Sequence, residues 1–140
     1  MSSFPSNTFY LRINGYYLGI EESKNPLNQY RILCSEKKKE SQRWGYKDKK
    51  IYHSQKGGYL TKKYHGWEPK RSNILLQTEL DYEIVFEPLE WEYESKRFIA
   101  NDQYILCKDS NHNIILQKKD ESISPLISYE WEIILKISLC

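Results

Sequence analysis

The residues of this chain that could do chemistry are few. His53, His65 and His112 stand singly, without His-x-x-x-His or paired-cysteine spacing around them, so no metal site is expected. Cys34, Cys107 and Cys140 are an odd number without ligand spacing, which argues against a disulfide framework and for a reducing compartment. No Gly-x-Ser-x-Gly elbow or phosphate-cradling glycine loop occurs, and acid pairs such as Glu21-Glu22 lie in turn-like polar surroundings, so no enzyme is expected. What remains is chemistry of recognition: an acid at Glu21, an amide at Gln42, and a tryptophan, Trp67, between Gly66 and Pro69 in a loop-like stretch.

The elements that would position these residues repeat three times. Trp44, Trp91 and Trp131 sit in Gln-Arg-Trp-Gly-Tyr, Leu-Glu-Trp-Glu-Tyr and Tyr-Glu-Trp-Glu-Ile, and Trp67 stands outside the series. Upstream of each lies an aromatic-aliphatic pair, Tyr17-Leu18, Tyr59-Leu60 and Tyr104-Ile105, preceded by turn-forming Asn14-Gly15, Gly57-Gly58 and Asn101-Asp102. Between pair and tryptophan comes an apolar tetrad: Arg31 to Cys34, Ile74 to Gln77, Ile114 to Gln117. Each unit opens on a short apolar run, Leu11 to Ile13, Ile51 to His53 and Phe98 to Ala100. Four short segments rich in Tyr, Ile, Leu and Phe per unit read as strands, and no window keeps a 3.6-residue period with caps. Three units are too few to close a propeller. The tryptophans should form the core with Leu18, Leu60 and Ile105 and with Leu33, Leu76 and Leu116.

Composition bounds the rest. The 140 residues, 39% hydrophobic, 14% aromatic and 29% charged, suit one folded domain spanning 1–140, with repeats at roughly 8–48, 49–95 and 96–136. No run approaches the ~18 apolar residues of a membrane span, and Met1 to Tyr10 lacks a secretory pattern. A cytoplasmic protein, or one released without a signal peptide, is expected. The net charge of +2 conceals a segregation. Lys37 to Arg71 carries twelve basic against three acidic residues, and Ser72 to Ser95 carries seven acids and no base. Lysines dispersed at turn positions make a solvated surface more readily than a nucleic-acid interface, and no RNA-binding aromatic signature accompanies them.

Twelve strands in three units of about 40 residues resemble the β-trefoil, and Gln42-Arg43-Trp44 is similar to the Gln-x-Trp mark of the ricin-B-type lectins. Leu89 and Tyr129 replace the amide in the other units. The resemblance implies an all-β fold, no cofactor, and a glycan partner. In that family an acid after the second strand accepts from two sugar hydroxyls. The match puts Glu21 there, with Lys63 and Lys108 in the other units and Asp109 one place late. Glu21 and Gln42 share one unit, so the expected sugar site is in the first repeat: Glu21 accepting from hydroxyls, Gln42 fixing the geometry with Ser41 beside it, Tyr30 or Trp67 covering the ring. The family's stacking position holds Cys34, Gln77 and Gln117, none aromatic, which implies weak binding. Trefoils also serve as protease inhibitors or bind cytoskeletal partners. For protease inhibition Lys62 to Arg71, or Glu22 to Gln29 stiffened by Pro26, would be the working loop.

Overall fold

A computed structural model describes residues 4–5, 7–24, 26, 28–62, 74–78 and 89–135. Among them the chain forms strands and no α-helix. The strands are β1 (Phe9–Ile13), β2 (Tyr16–Ile20), β3 (Gln29–Ser35), β4 (Trp44–Lys47), β5 (Lys50–His53), β6 (Gly57–Lys62), β7 (Ile74–Gln77), β8 (Trp91–Glu94), β9 (Arg97–Ala100), β10 (Tyr104–Lys108), β11 (Ile114–Lys118) and β12 (Trp131–Leu135), with one 3-10 turn at Glu40–Gln42. Four strands fall in each of the expected repeats. The links between them are held by residues at positive φ: Asn14-Gly15 at 48° and 82°, Asp48-Lys49 at 52° and 66°, and Ser95-Lys96 at 52° and 62°. Such left-handed pairs match the twist of the strands they join. At Gly58, φ is +70° and a Cβ would lie 2.4 Å from the Gln77 carbonyl, so only glycine fits.

All pairings are antiparallel. Eight strands run in the order β12-β1-β2-β3-β7-β6-β5-β4, and the Phe9↔Trp44 pairing of β1 with β4 closes seven of them into a barrel. The other four form a separate sheet, β11-β10-β9-β8. Two backbone bonds tie the sheets together, Trp91 N–H to Lys49 O and Trp131 N–H to Lys96 O, both 2.6 Å. Following these bonds and the ladders traces a ring through β1, β4, β5, β8, β9 and β12. Its three tryptophans hold like positions, Trp44 opposite His53, Trp91 opposite Ala100 and Trp131 opposite Ile13.

Trp44, Trp91 and Trp131 are fully buried, as the repeat pattern requires, and the residues two places before their cross-strand partners, Leu11, Ile51 and Phe98, are buried with them. Tyr46 and Tyr93 lean from one unit onto the next. Their hydroxyls donate to the Trp91 and Trp131 carbonyls at 2.7 Å each. Phe4 packs among these rings, stacked on Tyr46 at 3.8 Å and within 6.1 Å of Phe9, Tyr93 and Phe98.

One expected core residue needs correction, and one register shifts. Leu33 is 37% exposed, while Tyr30 and Ile32 point inward. The tetrad of unit one is therefore framed one residue late, and a one-residue slip in a strand turns every side chain to the other face. In unit three Ile105 is buried as expected, at 1% exposure, but the indole registers one residue further on: Trp131 donates to the Leu106 carbonyl at 2.8 Å, as Trp44 does to Leu18 at 3.0 Å.

Candidate functional site

The first-unit site forms where β2 ends in Leu18-Gly19-Ile20-Glu21. The Glu21 N–H bonds to the Arg31 carbonyl at 3.0 Å, and its carboxylate, 41% exposed, lies 3.6 Å from the Arg31 guanidinium. An exposed pair at that distance adds little stability and leaves the carboxylate reachable by a ligand. Gln42 comes over from the 3-10 turn and closes on the neighbouring peptide: Oε1 accepts from Ile20 N–H and Nε2 donates to Ile20 O, both at 3.2 Å. Gly19 makes this approach possible, since a Cβ there would stand 3.0 Å from Gln42 Cδ.

Behind Gln42 lies His53, 1% exposed. Its Nδ1 accepts from the backbone N–H of Gln55 at 3.3 Å and of Lys56 at 3.1 Å, so that nitrogen carries no proton. Nε2 then holds the hydrogen and donates it to Gln42 Oε1 at 2.9 Å. Burial, helped by the Lys56 charge, pulls the imidazole pKa from 6.5 down to about 4. Gln42 is thus bound to backbone and to His53. It fixes the Ile20 peptide, and through it the place where Glu21 leaves the strand.

Tyr30 needs correction. At 7% exposure it belongs to the hydrophobic core and cannot cover a ligand ring. Ser41 is exposed on the 3-10 turn. Trp67 lies outside the described residues, as do Lys63, the 64–71 stretch, and Asn25 and Leu27 in the other candidate loop.

Setting unit three on Leu106 moves its acid into register. Leu106-Cys107-Lys108-Asp109 then matches Leu18-Gly19-Ile20-Glu21, with the indole-accepting leucine first in each. The strand pairs agree: Ile20↔Ile32 is the last of β2 with β3, and Lys108↔Ile114 the last of β10 with β11. The next N–H bonds across in both cases, Glu21 to Arg31 O and Asp109 to Asn113 O, each at 3.0 Å. Asp109 is therefore not one place late. Aligning on the leucine that faces the tryptophan, instead of on the tyrosine before it, would have found it.

Asp109 organises its own loop. Oδ1 accepts from the N–H groups of Asn111 and Asn113, both 2.9 Å, and Oδ2 from Asn113 Nδ2 at 3.1 Å. Burial raises the carboxyl's pKa, but the bonds from Asn113 and Asn111 and the Lys108 charge outweigh it, and the group stays below the ordinary carboxylate range. Lys108 is 4% exposed, with its ammonium 4.6 Å from the centre of the Tyr16 ring. Tyr16 lies against His112 at 4.7 Å and donates to Glu36 at 3.2 Å. Cys34, whose thiol is pushed up chiefly by burial, donates to the His112 carbonyl at 3.3 Å, so unit one and the unit-three loop are in contact. Cys107 is buried and pushed up to about 12, which leaves it protonated and inert.

Among the described residues no three His, Cys, Asp or Glu side chains converge to hold a metal, and no helix is long and apolar enough to cross a membrane. Comparison with family models, with curated proteins and with solved structures yields no match.

Proposed function

We propose that the chain is a β-trefoil carbohydrate-binding protein similar to the ricin-B-type lectins, whose sugar contacts come from Glu21 in the first unit and Asp109 in the third. The trefoil reading draws support from the six-strand ring, the three units of four strands, and the like surroundings of Trp44, Trp91 and Trp131. The observation that carries the function is the matched placement of the two acids, each one residue past its strand's last pair and each with its N–H bonded across the hairpin at 3.0 Å. A carboxylate fixed there accepts from adjacent hydroxyls in charge-assisted bonds, and Asp109 Oδ2, which takes one bond from Asn113, retains a lone pair for a second. Gln42 acts as a positioning residue, holding the Ile20 peptide from behind.

A glycan array followed by calorimetry on the best ligand tests this. Glu21→Gln and Asp109→Asn preserve shape and should each weaken binding at their own site about ten- to a hundred-fold. Asparagine at 109 keeps an oxygen for the two backbone N–H bonds, and the Asn113 amide can turn its own oxygen to the new NH2 group, so the fold survives. An array on which nothing binds, or a ligand indifferent to both substitutions, would overturn the reading.

A further inference from the structure

At the other end of β10 from Asp109, roughly 16 Å along the strand, the β9–β10 link and the end of β11 line an open surface cleft. Its volume is about 400 Å³, within the ~300–1,000 Å³ of small-molecule sites, and its walls are Asp102, Gln103, Tyr104, Lys118, Lys119 and Asp120. The floor is fixed by backbone. Gln103 N–H bonds to Ala100 O at 2.9 Å, Lys119 N–H bonds to Gln103 O at 2.8 Å, and Tyr104 pairs with Lys118.

Charge decides what such a cleft accepts. Asp102 is held by Lys119 at 3.0 Å, and Asp120 and Lys118 add one charge of each sign to the same lining. Outside the lining, Lys62 of β6 donates to the Tyr104 hydroxyl at 2.9 Å, its ammonium 4.6 Å from the ring centre. An anion entering the cleft meets two carboxylates, and a cation meets two ammonium groups. An uncharged molecule rich in hydroxyls avoids both repulsions. It finds acceptors in Asp102 and Asp120, donors in Lys118 and Lys119, both in the Gln103 amide, and an apolar wall in the half-buried Tyr104.

We infer that this cleft is a binding site for a neutral saccharide of one or two rings, separate from Glu21 and Asp109. Amide spectra of the ¹⁵N-labelled full chain test it, by titration with methyl glycosides of glucose, galactose, mannose and N-acetylglucosamine and, separately, with inorganic phosphate. At least one glycoside should move the amides of residues 102–104 and 118–120 saturably, and phosphate should not. Asp102→Asn tolerates the +55° φ of that position, Asp120→Asn is a surface change, and each should weaken the glycoside about tenfold with the remaining spectrum unchanged. Glu21→Gln with Asp109→Asn should leave these shifts intact. No saturable shift with any glycoside, a response to phosphate alone, or full binding by the Asp102→Asn, Asp120→Asn double variant would overturn the inference. Shifts confined to the Glu21 and Asp109 amides would overturn it while leaving the proposed lectin sites standing.

Discussion

Acid should destabilise this chain through one imidazole. His53 is neutral in the fold because its Nδ1 accepts two backbone N–H bonds and its Nε2 hydrogen is directed at Gln42; a second ring proton would face those two N–H donors inside the core. Its pKa is about 4 in the folded chain against 6.5 when exposed. Above pH 6.5 the ring is neutral in both states and the contribution is complete. Between 6.5 and 4 the unfolded chain takes up a proton that the folded chain refuses, so stability falls with pH, by up to about 1.4 kcal/mol per unit. Below that window the loss levels off at roughly 2–3 kcal/mol, allowing for screening near the exposed Lys56. Urea melts at steps from pH 7.5 downward would read this as a falling midpoint. The control is Gln42→Leu with His53→Ala, which installs the pair that unit two carries at Leu89 and Ala100 and removes the titrating ring. Asp109 acts in the same direction but lower on the pH scale, and it is common to both proteins. A wild-type midpoint falling no faster than the control's between pH 6.5 and 4 would refute the reasoning, as would an NMR titration placing His53 near 6.5 or its proton on Nδ1.

Three further outcomes follow from the core. The Trp91 indole N–H has no hydrogen-bond partner among the described residues, whereas Trp44 and Trp131 donate to Leu18 and Leu106; Trp91→Phe should therefore cost about 1–2 kcal/mol less than Trp44→Phe or Trp131→Phe in urea melts. Tyr46→Phe and Tyr93→Phe each remove a 2.7 Å bond between units and should each cost about 1 kcal/mol, with the ring packing kept. Phe4→Ala should lower the melting midpoint by an amount worth roughly 1–3 kcal/mol, because the ring stacks on Tyr46 and touches Phe9, Tyr93 and Phe98; an unchanged midpoint would mean that the segment does not pack there in solution.

The strands were legible because they repeat. One tryptophan per unit, an aromatic-aliphatic word and a turn before it locate all twelve, and the marked turns Asn14-Gly15, Gly57-Gly58 and Asn101-Asp102 all take positive φ. Side-chain direction was less legible, because a run such as Arg31-Ile32-Leu33-Cys34 fits either phase of a period of two. The barrel chose Tyr30 and Ile32 for its interior and left Leu33 outside, which removed Tyr30 as a ligand-covering ring. The same one-residue ambiguity hid Asp109 behind Lys108. Nothing local announces that Gln42 turns inward. That follows from Gly19, which is distant in sequence and has no side chain to block it, and from His53, whose Nε2 needs an acceptor.

At the position two residues before each tryptophan, the three units solve one problem differently. A second-strand peptide must be satisfied beside a buried indole. In unit one Gln42 takes both polar groups of Ile20 and leaves the Leu18 carbonyl for the Trp44 indole. In unit two Leu89 has no amide to give, and its backbone N–H takes the Leu60 carbonyl at 3.1 Å, the bond the indole makes elsewhere; Trp91 is left without one. In unit three Tyr129 stands there under the Arg97 guanidinium, 5.8 Å from its ring centre, and Trp131 recovers the Leu106 carbonyl. The single Gln-x-Trp is therefore one of three ways to finish a barrel corner, and its survival in unit one alone carries no information about where a ligand binds. On the proposed lectin reading it is the acids that mark the ligand positions. Glu21 and Asp109 occupy one backbone position while their neighbouring corners differ, as a position held for something outside the core would.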